Sequence, residues 1–128
     1  MKIDHIAVWT NELEKMKDFY CKFFEGTSNE KYINSKKGFE SYFIAFSEGA
    51  RLEIMKRTDV TRSPFHGEEF IGINHLAFNV GNKEKVDTLT ESLRISGYTI
   101  AGEPRTTGDG YYESIILDPE GNRIEIVG

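Results

Sequence analysis

The chain has 128 residues, 38% hydrophobic and 12% aromatic, which is enough for one globular core, with no apolar run long enough to span a membrane. Its net charge of -5, with Lys and Arg scattered rather than clustered, argues against a nucleic-acid or anionic-membrane partner. A single cysteine, Cys21, excludes an intrachain disulfide, and the opening "MKIDH" has no apolar targeting segment behind it, so the cytoplasm is the expected compartment.

The first segment, "IDHIAVW" (3–9), alternates as a strand does, placing His5 with Ile3, Ala7 and Trp9 on one face and Asp4, Ile6 and Val8 on the other. Thr10 and Asn11 then offer a helix N-cap, with Glu14 three residues past Asn11. Leu13, Met16, Phe19, Tyr20, Phe23 and Phe24 follow at helical spacing as far as Gly26, with Cys21 a small buried or half-buried thiol among them. Extended sequence comes next: "ESYFIAF" (40–46), a turn at "SEGA" (47–50), then "RLEIM" (51–55), where Glu53 faces away from Leu52 and Ile54. Pro, Gly and mixed charge mark 57–71 as a connector, with Arg62 and His66 expected on its surface.

The pattern then starts again. "INHLAFN" (73–79) repeats the first strand at an offset of 70, with His75 in the place of His5. Asn82 is placed to cap a helix with Val86, Leu89 and Leu93 on one face, and Gly97 to end it. "ESIIL" (113–117), a type I turn at "DPEG" (118–121) and "RIEIV" (123–127) close the copy, the last at an offset of 72 from "RLEIM". "TTGDGYYES" (106–114) fits either a lid or a hairpin turn. Aligning "FESYFIAFSEGA" with "YESIILDPEGN" makes Glu40 and Glu113 equivalent and leaves a one-residue difference in the turn.

One domain, 1–128, therefore contains module one (1–56), a connector (57–71) and module two (72–128). Each module is strand, helix, then about three strands. The fold class is α+β, with two repeated βαβββ modules forming a curved mixed sheet around a cavity. If the aliphatic faces pack under the helices, His5, Glu53, His75 and Glu125 all point to the concave side. Two imidazoles and two carboxylates suit a divalent metal, offering neutral nitrogen donors and two negative charges against the ion's two positive ones.

This ordered set, the "DHIAV" opening and the closing "DPEGNRIEI" (118–126) resemble the vicinal oxygen chelate superfamily across essentially the whole chain. The resemblance is greatest to its glyoxalase I (lactoylglutathione lyase) branch, and "DFYCKFF" (18–24) is similar to the family's usual first helix. It implies one divalent ion per site, nickel, cobalt or zinc, held by His5, Glu53, His75 and Glu125, and a lyase acting on a small oxo compound or its thiol adduct through an enediolate chelated by that ion. It also implies a homodimer with sites at the interface and a metal-bound glutamate as proton-transferring base, Glu125 or its mirror Glu53. The aromatic surface of the first helix supports the dimer as well.

Family members that use glutathione usually carry an arginine near the end of the first strand, where this chain has Trp9 and Thr10, which speaks against glutathione. Trp9, Arg105 and Tyr111 are further candidates for the substrate cavity, and Glu40, by loose analogy with methylmalonyl-CoA epimerase, for an extra base. Two alternatives stand beside the lyase. Extradiol dioxygenases and fosfomycin-modifying thiol transferases resemble the fold but bind metal through two histidines and one glutamate, which leaves Glu53 without a role. Bleomycin-resistance proteins bind a drug without metal and lack the quartet.

Overall fold

Burial follows the alternation written in the sequence. The computed structural model describes residues 1–62 and 71–128. The chain divides into two units, Met1–His66 and Gly67–Gly128. The surface position expected for His66 lies outside the described residues.

The first unit runs β1 (His5–Trp9), α1 (Leu13–Phe23), β2 (Thr27–Ser28), β3 (Tyr32–Asn34), β4 (Phe39–Ala45) and β5 (Arg51–Arg57). Its sheet has the order β1-β5-β4-β2, with β3 also paired to β4. β1 lies parallel to β5 and the other pairings are antiparallel, so the sheet is mixed. The second unit runs β6 (His75–Asn79), α2 (Lys83–Ile95), β7 (Ile100–Thr106), β8 (Tyr112–Leu117) and β9 (Arg123–Val127). Its order is β6-β9-β8-β7, again with one parallel pair, β6 with β9. Both are βαβββ modules of the expected α+β class, each closing its own mixed sheet. The first of the three later strands is continuous as β7 but broken into β2 and β3 in the first unit.

Each helix covers one face of its sheet. In the first unit Leu13, Met16, Phe19 and Tyr20 are buried with Tyr42, Ile44, Leu52 and Ile54. In the second, Val86, Thr90 and Leu93, at i, i+4 and i+7, are buried with Ile116, Ile124 and Ile126. Thr90 keeps its hydroxyl satisfied, donating to the Val86 carbonyl at 2.6 Å and sharing a hydrogen bond with the buried Ser114.

Several local expectations change. The cap of α1 falls one residue later than foreseen, at Glu12, while the Thr10 hydroxyl accepts from the Glu12 N–H at 2.8 Å. The left-handed residue after α1 is Glu25 (φ 55°) rather than Gly26. Gly26 is required for a different reason, because a Cβ there would stand 2.5 Å from Ile44 Cγ2. In the second unit Asn82 caps α2 by accepting from the Lys85 N–H at 2.9 Å. Gly97 (φ 86°) ends it, with Gly97 N–H donating to the Arg94 carbonyl and Tyr98 N–H to that of Leu93. The DPEG turn forms as read, closed by Gly121 N–H to the Asp118 carbonyl at 2.9 Å.

The aromatic surface of α1 offers nothing to a second subunit. Phe19 and Tyr20 are 1% and 0% exposed and Phe23 and Phe24 9% each, with rings packed on one another at 5.1 to 5.7 Å. That argument for a homodimer falls away.

The ladders also correct the internal alignment. Phe43 pairs with Glu53 and Ile115 with Glu125, so β4 and β8 match at an offset of 72, like β5 and β9. The turns are of equal length, and the counterpart of Glu113 is Ser41 rather than Glu40. The change from 70 to 72 arises in the helix, which has 11 residues in α1 and 13 in α2.

Candidate metal centre

The parallel pairing of each module's first and last strands brings its histidine beside its glutamate. On β1 and β5, His5 stands opposite Arg51 and Ala7 opposite Glu53, so the imidazole and the carboxylate are diagonal neighbours on one face. His5 Nε2 lies 3.9 Å from Glu53 Oε2. On β6 and β9 the register repeats, with His75 opposite Arg123 and Ala77 opposite Glu125, and His75 Nε2 lies 3.2 Å from Glu125 Oε2. The glutamates are largely covered, at 16% and 18% exposure, and the histidines more open, at 41% and 38%.

The residue before each histidine orients it. His5 Nδ1 lies 2.9 Å from Asp4 Oδ2, and His75 Nδ1 lies 2.9 Å from Asn74 Oδ1. A carboxylate oxygen or an amide carbonyl can only accept, so each Nδ1 carries the donated hydrogen, which leaves Nε2 as the ring nitrogen turned to the glutamate and, without a second proton, an acceptor. Two acceptors then face each other in both modules, an arrangement that calls for a proton or a cation between them. Ligands about 2.1 Å from a common ion and at right angles stand about 3.0 Å apart, close to the spacing of the second pair and within a small side-chain shift of the first.

Asp4 is itself held in place. The hydrogen bond from His5, then that from Arg51 Nη2 at 2.6 Å, keeps its carboxyl below the ordinary carboxylate range. The Arg51 guanidinium lies 4.7 Å from the ring centre of Phe43, whose edge also meets the His5 ring at 5.3 Å. Asp4 and Asn74 escape detection by alternation because that rule turns them to the opposite face. The strands begin only at His5 and His75, so strict alternation does not extend to the residues just before them.

Each unit supplies one such pair, and among the described residues no group of three or more His, Cys, Asp or Glu is gathered on a single point. Glu40 pairs with Lys56 on the helix-covered face, away from His5 and Glu53, and its carboxylate lies 3.8 Å from Lys31. Glu113 is on the same face as Glu125, 9% exposed, and faces Arg105 of β7 at 3.3 Å. Tyr111 is 57% exposed at the end of a hairpin turn, closed by Thr107 N–H to the Tyr111 carbonyl at 2.8 Å. The 106–114 segment is thus a β7–β8 hairpin. A shallow cleft of about 250 Å³ at the β3–β4 corner, lined by Ile33, Phe39, Glu40, Lys56 and Thr58 among others, contains neither His5 nor Glu53.

Comparison with known proteins agrees with this architecture. Over 126 residues the chain is 28% identical to the uncharacterized protein YqjT of Bacillus subtilis, covering 96% of this chain and 95% of that one. Among solved structures it is similar to the trypanothione-dependent glyoxalase I of Leishmania major (TM-score 0.78, 19% identity, 100% of this chain and 86% of that one). It is also similar to glyoxalase I of Zea mays (TM-score 0.78, 18% identity), where 98% of this chain spans only 44% of the maize protein. No helix among the described residues is long and apolar enough to cross a membrane. Residues 2–126 match the family model for the Glyoxalase/Bleomycin resistance protein/Dioxygenase superfamily, and the chain belongs to that superfamily.

Proposed function

We propose that the chain is a glyoxalase I-like, metal-dependent lyase or isomerase acting on a small oxo compound or its thiol adduct through an enediolate. The observation that carries this reading is the twofold recurrence of a histidine Nε2 turned onto a glutamate oxygen, at 3.9 Å and 3.2 Å. His5, Glu53, His75 and Glu125 fit a divalent ion such as nickel, cobalt or zinc, and would be its ligands. When bound, such an ion supplies Lewis-acid stabilisation of the negative charge that develops on two neighbouring substrate oxygens.

The chain's own residues do the rest. Asp4 and Asn74 hold the imidazoles so that Nε2 faces inward. The Glu125 carboxylate takes the carbon-bound proton of the substrate and returns it to the adjacent carbon, with Glu53 as its mirror, since a general base must lie within hydrogen-bond reach of the proton it moves. The working form is a cytoplasmic homodimer, and Trp9 and Thr10 at the end of the first strand speak against glutathione as the thiol. Both glutamates stand beside a histidine at matching register, which favours four ligands over the two-histidine, one-glutamate set of the dioxygenase and thiol-transferase branches.

The test is metal content by elemental analysis of tag-free protein, run beside Glu53→Gln. About one divalent ion per chain, falling steeply in the variant, is the expected outcome. A wild type that carries no metal and gains no thermal stability from added nickel, cobalt or zinc refutes the lyase and leaves a metal-free binding protein in its place.

A further inference from the structure

One end of the first unit's open sheet face carries aromatic rings that the architecture does not require. Trp9 at the end of β1 meets Phe39 of β4 edge to face, ring centroids 6.2 Å apart, and Phe39 meets Tyr32 of β3 at 6.0 Å. The ladders put all three on the side bearing His5 and Glu53. Trp9 pairs with Met55, two residues on from Glu53, while Phe39 pairs with Arg57 and Tyr32 with Ser41. Trp9 is 40% exposed and Tyr32 53%, so these rings face solvent instead of filling a core. The Arg57 guanidinium sits 5.2 Å from the Trp9 ring centre, and its charge is met by Asp59 at 2.5 Å. What remains is an apolar platform with a neutralised edge, suited to a flat, uncharged group.

The second module serves as an internal control. Its counterpart of Trp9 is Asn79, and the residue opposite Glu113, the counterpart of Ser41, is Arg105 instead of a tyrosine. Of the three rings only Phe39 has an aromatic counterpart, Tyr111 at the offset of 72, so a module with the same strand order forms without the three-ring platform. Trp9 and Tyr32 are additions in one copy, on the face that holds His5 and Glu53.

We propose that Trp9, Phe39 and Tyr32 form the subsite for an aromatic substituent of the substrate, selecting aryl over alkyl oxo compounds. This rests on the reading of the His5–Glu53 face as the active one. Two residues along a strand span about 7 Å, so a ring lying against Trp9 is within one substituent's length of Glu53. A ring joined directly to the oxygen-bearing carbons reaches it.

Trp9 is the chain's one tryptophan, so its fluorescence reports on this platform alone. The protein is kept metal-free in chelator and titrated with 2-hydroxyacetophenone and, separately, with hydroxyacetone. A saturable change is expected with the aryl ketone only, weakened about tenfold by Phe39→Ala and also weakened by Tyr32→Ala, whose exposed side chain is dispensable for folding. Equal responses to the two ketones, no response to either, or an aryl response untouched by both substitutions overturns the proposal. Because metal is withheld throughout, a chain that binds no metal can still show the aryl response, and a metal-loaded lyase can still lack it. The two readings therefore fail separately.

Discussion

At the scale of single residues, the informative side chains are the ones beside the histidines. Asp4 and Asn74 each occupy an Nδ1 and leave one nitrogen to offer. Loss of such a partner typically costs ten- to a hundredfold in metal affinity. Asp4→Leu is therefore expected to weaken metal binding by about that factor, while Asp4→Asn keeps most of it, because Asn74 already performs the same task in the second module. Competition against a chelator of known affinity checks both variants, and equal affinity in wild type and Asp4→Leu would deny Asp4 an orienting role. The histidines and glutamates could be read from the sequence because period-two alternation sets their faces. Their orienters could not, since they lie one residue before the strands begin.

At the scale of elements, helix termini and the ties between helix and sheet decide the outcome. The chain leaves α1 through Glu25 in the left-handed region (φ 55°), a conformation that costs a side-chain-bearing residue about 1–2 kcal/mol. Glu25→Gly should raise stability by about 0.5–1 kcal/mol once the extra freedom of glycine in the unfolded chain is deducted. Chemical denaturation measures this directly. Sequence reading placed the break at the neighbouring glycine, whose real constraint is the 2.5 Å approach of Ile44. Such a contact arises only once α1 is docked, so no local pattern announces it.

The same helix is tied to β4 through Glu14, which accepts from the Tyr42 hydroxyl at 3.1 Å and pairs with Lys31 and Lys17. Chiefly Lys31 holds its carboxyl below the ordinary 4.5; burial, next in size, opposes it, and Lys17 and Tyr42 add to the lowering. A folded-state pKa below the unfolded one means that the contribution is complete above about pH 4.5 and fades as the pH falls through the folded value. Glu14→Gln should accordingly lose part of the stability difference between pH 6 and pH 3, by less than about 1 kcal/mol for so exposed a group. Melting temperatures across that range test it.

At the scale of the whole chain, the duplication was legible because it repeats chemistry as well as hydrophobicity, His then Glu in the same order. The alignment slipped where likeness of letters, "FES" against "YES", competed with likeness of register, and backbone pairing settles that in favour of the constant offset of 72. If the proposed ligands of one ion come from opposite modules of two subunits, mixing Glu53→Gln with Glu125→Gln should restore about a quarter of wild-type activity. Half of the dimers formed on random exchange are then mixed, and one of the two sites in each is whole. Ligand sets drawn from single chains predict no recovery, and an activity assay after subunit exchange separates the cases.

Parallel pairing of each module's first and last strands has a consequence for synthesis. His5 leaves the ribosome first and Glu53 arrives at the end of its module, and the same holds for His75 and Glu125. Neither pair exists on a growing chain until the closing strand inserts beside the opening one. On the proposed metal site, an incomplete module would lack the His–Glu pair, and loading with metal would certify that a finished module has folded.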